Sequence, residues 1–240
     1  NSGLQVFGQT LALVGGGVTL AGGNLTAEAG NIELGSVGAG SLVTIAPVPT
    51  VNGNSWTLSY ENVQNFQDIN LVQAASLDAS GSKGGSIQVQ GRRVTLTEGS
   101  AILADTLGNK TGGNLIINAS EAVEAIGSSI DGKFSSGLFA DTYSTGKGGN
   151  LTVNTASLLL QNGAVVRANT FGAGQAGNLT VNASEQVQAI GVSADAMRPS
   201  AFFARADRGS SGDAGDLIVN TARLLLQDGG QVGAGTLGSG

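Results

Sequence analysis

The chain has 240 residues, 40 of them glycine and three proline, with 40% hydrophobic and 12% charged residues. This apolar content excludes disorder, and glycine without a G-X-Y triplet rule excludes collagen. A net charge of −6, from 11 basic and 17 acidic residues, argues against nucleic acid as a partner; the absence of Cys and His removes disulfides, thiolate metal sites and any Ser-His triad.

The densest basic pair is Arg92-Arg93, far from the stripe that a nucleic acid needs. A soluble chain with so few charges must cover itself with Thr, Ser, Asn, Gln and Gly, as extracellular β-solenoids do. No apolar run approaches the ~18–20 residues of a membrane span, so no membrane span is expected. Beginning at Asn1 without a signal peptide, the sequence reads as a processed or excised piece.

Residues 1–84 are predicted to form irregular N-terminal coils. Leu4 to Phe7, Leu11 to Val14, Val18 to Leu20 and Asn31 to Leu34 alternate in short runs separated by Gly. Leu42 to Val48 and Trp56 to Tyr60 flank Asn52-Gly53, which predicts an extruded hairpin near residues 42–60 bearing Trp56, the only Trp.

Residues 85–240 repeat. Gly149-Asn150-Leu151-Thr152-Val153-Asn154 returns as Gly177-Asn178-Leu179-Thr180-Val181-Asn182, with degraded copies starting at Gly85, Gly113 and Gly215. The starts lie 28, 36, 28 and 38 residues apart, so short and long units alternate. Such a period, in strand-type residues, marks a solenoid. In the unit from Gly149, Leu151 and Val153 face one way and Thr152 the other, and Asn154 is expected to end the strand. Leu158 to Leu160 reads as a second strand, Asn162-Gly163 as a turn, and Val165 to Thr170 as a third strand with Val166 inside and Arg167 facing solvent.

The expected fold is therefore all-β, a parallel β-helix with three short strands per coil. Its inward columns would be Ile102, Leu138, Val166, Phe202 and Val232, then Ala104, Ala140, Ala168, Ala204 and Ala234. Asn118, Asn154, Asn182 and Asn220 should form an amide ladder; the sequons at Asn118, Asn150, Asn178 and Asn182 all lie at repeat positions, so ladder geometry explains them without glycosylation. Second strands of short units want their first and third residues inside, and those of long units their second and fourth. That parity change predicts a bulge or shifted turn.

The long units carry extra residues at Ser128–Ser136 and Val192–Ser200, expected on the same side, two coils apart. Coil packing does not require them, and loops on a rigid scaffold are where binding resides. Asp131, Lys133, Phe134, Met197 and Arg198 are the candidate surface-contact residues; the alternative is that the loops merely cap the outward rings of Phe139 and Phe203. Asp105 and Asp141 share an outward column with Asn169 and Arg205. Stacked carboxylates suit Ca²⁺ or acid/base work, but with no basic residue predicted beside them they read as solvated turn residues. Thr106, Thr142, Thr170 and Thr236 form a column read as inward or turn rather than ice-binding. Catalytic, cofactor and metal residues are expected to be none.

The string Gly3-Leu4-Gln5-Val6-Phe7-Gly8-Gln9-Thr10-Leu11-Ala12-Leu13, then Ile32-Glu33-Leu34-Gly35-Ser36-Val37, and the Gly-Asn-Leu-Thr-Val-Asn-Ala-Ser-Glu repeats resemble cyanobacterial filamentous-haemagglutinin-like exoproteins of the two-partner secretion pathway. The resemblance implies a right-handed single-stranded parallel β-helix, a secreted or cell-surface location, and an outer-membrane transporter as export partner. The family's Asn-Pro-Asn-Gly secretion motif is missing, the nearest string being Val51-Asn52-Gly53-Asn54, which places the chain downstream of most of the secretion domain. The expected function is a non-enzymatic structural or adhesive rod that contacts a polysaccharide or cell-surface macromolecule and self-associates end to end or laterally. The alternative is a carbohydrate-binding or polysaccharide-cleaving protein.

Overall fold

The computed structural model describes residues 3–50 and 53–239. It is all-β. The first strands are β1 (Gly3–Phe7), β2 (Thr10–Gly15), β3 (Val18–Ala21), β4 (Asn24–Glu28) and β5 (Asn31–Ser36). A hairpin follows, β6 (Thr44–Thr50) and β7 (Gly53–Ser59), then β8 (Ile69–Val72) and β9 (Ser76–Asp78). From there long and short strands alternate: β10 (Ser86–Thr97), β11 (Ala101–Leu103), β12 (Leu115–Ile126), β13 (Gly137–Phe139) and β14 (Leu151–Gln161). The series closes with β15 (Val165–Arg167), β16 (Leu179–Ile190), β17 (Ala201–Ala206), β18 (Leu217–Gln227) and β19 (Gln231–Thr236).

The strands form two large parallel sheets, which corrects the expected single-stranded β-helix of three strands per coil. One sheet has eight strands in the order β1-β4-β9-β11-β13-β15-β17-β19. The other has nine, in the order β18-β16-β14-β12-β10-β5-β2, with β8 beside β10 and β3 beside β8. Each regular unit thus contributes one long, bent strand and one short one.

The expected first and second strands merge because Asn154 does not end the first. Its Nδ2 donates to Asn118 Oδ1 at 2.8 Å, and its own Oδ1 accepts from Asn182 Nδ2 at 2.8 Å; Asn220 extends the ladder at the same 2.8 Å. An amide engaged by its equivalents in neighbouring coils is not free to close a local turn. Pairing resumes after a one- or two-residue mismatch, Arg92 against Ser120 and Glu121, and Ala156 against Ser184 and Glu185. This is the expected bulge: one extra residue in each long unit restores parity. Val94, Val123, Leu158 and Val187 consequently stand in one buried column.

Asn162 and Gly163 form a two-residue turn with φ of 55° and 87°, repeated at Glu98-Gly99 and Asp228-Gly229. Both central residues are left-handed, as a I′ turn requires, and a Cβ at Gly163 would lie 2.7 Å from Ser193 Cβ. The repeat-initial glycines have a different cause: a Cβ on Gly149 would run into the carbonyl oxygen of Gly113, and one on Gly177 into that of Gly149. Only backbone fits at that corner.

The predicted inward columns are in register, Ile102–Leu138–Val166–Phe202–Val232. All but the last coil's members are fully buried, and one continuous cluster runs from Leu11 to Ala204. Thr106, Thr142 and Thr170 are buried as well. The hairpin forms where expected, except that Val51 and Asn52 lie outside the described residues. Leu58, Tyr60 and Val63 beneath it make a second small cluster with Val37, Val43 and Phe66. Among the described residues, no helix is long and apolar enough to cross a membrane.

Candidate functional site

The two long-unit loops have the same internal chemistry. Ser129 Oγ donates to Asp131 Oδ1 at 2.6 Å, and that oxygen also accepts from the Lys133 amide at 3.2 Å. Ser193, Asp195 and the Met197 amide repeat the arrangement. The same serine oxygens accept from the Phe134 and Arg198 amides, each at 3.0 Å. At the loop base Ser136 Oγ donates to the Ile126 carbonyl and Ser200 Oγ to that of Ile190, both at 2.8 Å. The Ser129 hydroxyl, with the Lys133 amide and ammonium, holds Asp131 at about 2; the Ser193 hydroxyl likewise holds Asp195 below the ordinary carboxylate range.

The loops emerge ahead of β13 and β17, on one side and separated by β15, as expected. They also meet, because Arg198 Nη1 donates to the Gly132 carbonyl. Between them and the outer face of the short-strand sheet lies a groove of about 530 Å³. Lys133, Phe134, Met197 and Arg198 line it, with Phe139 and Phe203 below. Phe134 is 65% and Met197 80% exposed. Asp131 does not line it; its carboxylate serves the turn and pairs with Lys133 Nζ at 3.1 Å.

The groove floor contains what the sequence reading misplaced. Asp105 and Asp141 are buried, not solvated turn residues. Each carboxylate accepts the backbone amide one coil on: Asp105 Oδ1 from Asp141 at 2.8 Å, Asp141 Oδ1 from Asn169 at 3.0 Å. Asn169 Oδ1 continues the series to Arg205 at 3.0 Å. A basic residue does sit beside them: Arg167 Nε bonds Asp141 Oδ2 at 2.7 Å. Its guanidinium also covers Phe139 at 4.9 Å and Phe171 at 5.4 Å, and Phe171 stacks on Tyr143 at 5.1 Å.

Burial, then the charge of Asp141, raises Asp105 to about 7. Full burial also raises Asp141, opposed by Arg167 and by the Asn169 amide. The signal for this column was present. Asp105, Asp141 and Asn169 can each accept from the next coil's amide, as Asn114, Asn150 and Asn178 do at the repeat start. Among the described residues, no three carboxylate, His or Cys side chains gather to hold a metal ion. Comparison of the chain with protein-family models, curated proteins and solved structures finds no match.

Proposed function

We propose that the protein is a non-enzymatic structural and adhesive rod, secreted or held at the cell surface, whose contact site is the inter-loop groove. The observation that carries this reading is the bond from Arg198 to the Gly132 carbonyl. Two loops that coil packing does not need are joined into one rim, with Phe134 and Met197 exposed along it. The occupant is a polysaccharide or another surface macromolecule: aromatic faces and a guanidinium suit sugar rings, and the mixed rim suits a polymer. Export through an outer-membrane transporter belongs to the same reading and rests on the sequence resemblance. Cleavage is the weaker reading, since the Asp105 and Asp141 oxygens nearest the next coil are occupied by its amides.

The test replaces both loops with the two-residue Asn-Gly turn of the short units. The trimmed protein is expected to keep its β circular dichroism and lose adhesion to polysaccharide-coated surfaces. Unchanged adhesion per folded molecule refutes the reading, and sugar release abolished by Asp105→Asn establishes cleavage instead.

A further inference from the structure

The hairpin creates a second concavity, on the other sheet and independent of the inter-loop groove. It measures about 330 Å³ and is lined by Thr10, Ala12, Glu33, Ile45, Trp56 and Leu58. Ala12 and Glu33 are register partners on β2 and β5, on the face away from the main core, and the hairpin lies over them. Glu33 is therefore only 7% exposed. Its Oε1 accepts from Thr57 Oγ1 at 3.3 Å, while Oε2 is buried with no partner among the described residues. At the mouth Ile45 is 66% and Trp56 49% exposed, so large apolar side chains face water beside a buried acid.

The strands that form the cleft supply no basic side chain. Residues 1–82 include Glu28, Glu33, Glu61, Asp68 and Asp78 and contain no Lys or Arg. Of these acids, Glu28 and Asp78 lie on β4 and β9 of the other sheet, and Asp68 is paired with Arg92 at 2.8 Å. β2 and the hairpin strands carry no ionisable side chain, β10 sets Gln88 beside Glu33, and Tyr60 is the ionisable neighbour. Burial raises the Glu33 carboxyl to about 7, with the Thr57 hydroxyl and then the Leu58 amide acting in the opposite direction. A neutral apolar occupant would leave Oε2 unsatisfied, and an anion would be repelled.

We propose that this cleft binds a small organic ammonium ion, an amine carried on an apolar group, with the ammonium at Glu33 Oε2 and the apolar body against Trp56 and Ile45. An ammonium supplies the donor that Oε2 lacks, and an indole face attracts a cation. The apolar body covers surface that is now wet.

Trp56 is the only Trp, so its emission reports the cleft directly. Phenethylammonium is expected to give a saturable change at about pH 8. 2-Phenylethanol, matched in shape but uncharged, should bind roughly tenfold more weakly or worse, and Glu33→Gln should weaken phenethylammonium by a similar factor. In the unaltered protein, affinity for the ammonium should fall roughly tenfold between about pH 8 and about pH 6, as Glu33 takes up a proton. No saturable response at millimolar ligand, equal binding of the alcohol, or unchanged affinity in Glu33→Gln overturns the proposal. If Glu33→Gln does not fold, a pH-independent affinity in the unaltered protein overturns it.

Discussion

At position 167 a guanidinium stands over two rings and 2.7 Å from a carboxylate that water does not reach. Strand alternation alone sets Val166 inward and Arg167 outward, and both orientations are observed. Alternation gives direction, however, not exposure. On this face the neighbouring coils and their loops cover the outward side chains, and Arg167 keeps 31% of its side-chain surface. The cost of about 0.5 kcal/mol or less that is usual at a free surface site therefore does not apply to Arg167. Arg167→Ala strands Asp141 in a buried site and is expected to cost about 3 kcal/mol, towards the lower end for a broken buried pair. Val166→Asp places a charge among Leu138 and Phe202 and should cost several kcal/mol or abolish folding. Urea midpoints decide: a loss below about 1 kcal/mol in Arg167→Ala would mean that the pair is solvated.

The long strand is the element whose form sequence periodicity could not supply. Leu151 to Val153 and Leu158 to Leu160 each alternate correctly, and the parity change between short and long units announces a bulge. What separates one bent strand from two strands and a turn is where the Asn154 amide bonds, and lateral bonding leaves no trace in a single unit's pattern. The I′ turn at Asn162-Gly163 was legible because its residues are chosen for their own backbone. The Asp105–Asp141 column was legible too; its burial and the approach of Arg167 were not, because alternation says which way a side chain points and not what covers it. Asn154→Ala removes both ladder bonds at one rung. The rung is half-buried, so water replaces part of the loss; a cost of about 1 kcal/mol is expected by chemical denaturation, and no measurable change would show the ladder to be incidental.

Across the whole molecule, the displaced carboxyls set an unusual pH response. Glu33 and Asp105 are raised to about 7, and Asp141 is raised too. Between their ordinary unfolded values, about 4, and these folded values the native state binds more protons than the unfolded state, so stability falls as pH rises through that window. Asp131, held at about 2, and Asp195, also lowered, act oppositely: their contribution is present above the unfolded value and disappears as pH falls through the folded one. The melting temperature is expected to peak near pH 4–5 and to decline towards pH 8; a rise over that range would contradict the buried carboxyls. The meeting of the two loops has a metrical consequence. Stacked strands are ~4.8 Å apart, so loops separated by one short unit stand ~9.6 Å apart. With one short unit between them, that spacing is one the Arg198 side chain crosses to reach the Gly132 carbonyl. The alternation of 28- and 36-residue spacings is thus a ruler, in which the number of coils sets the width of the mouth.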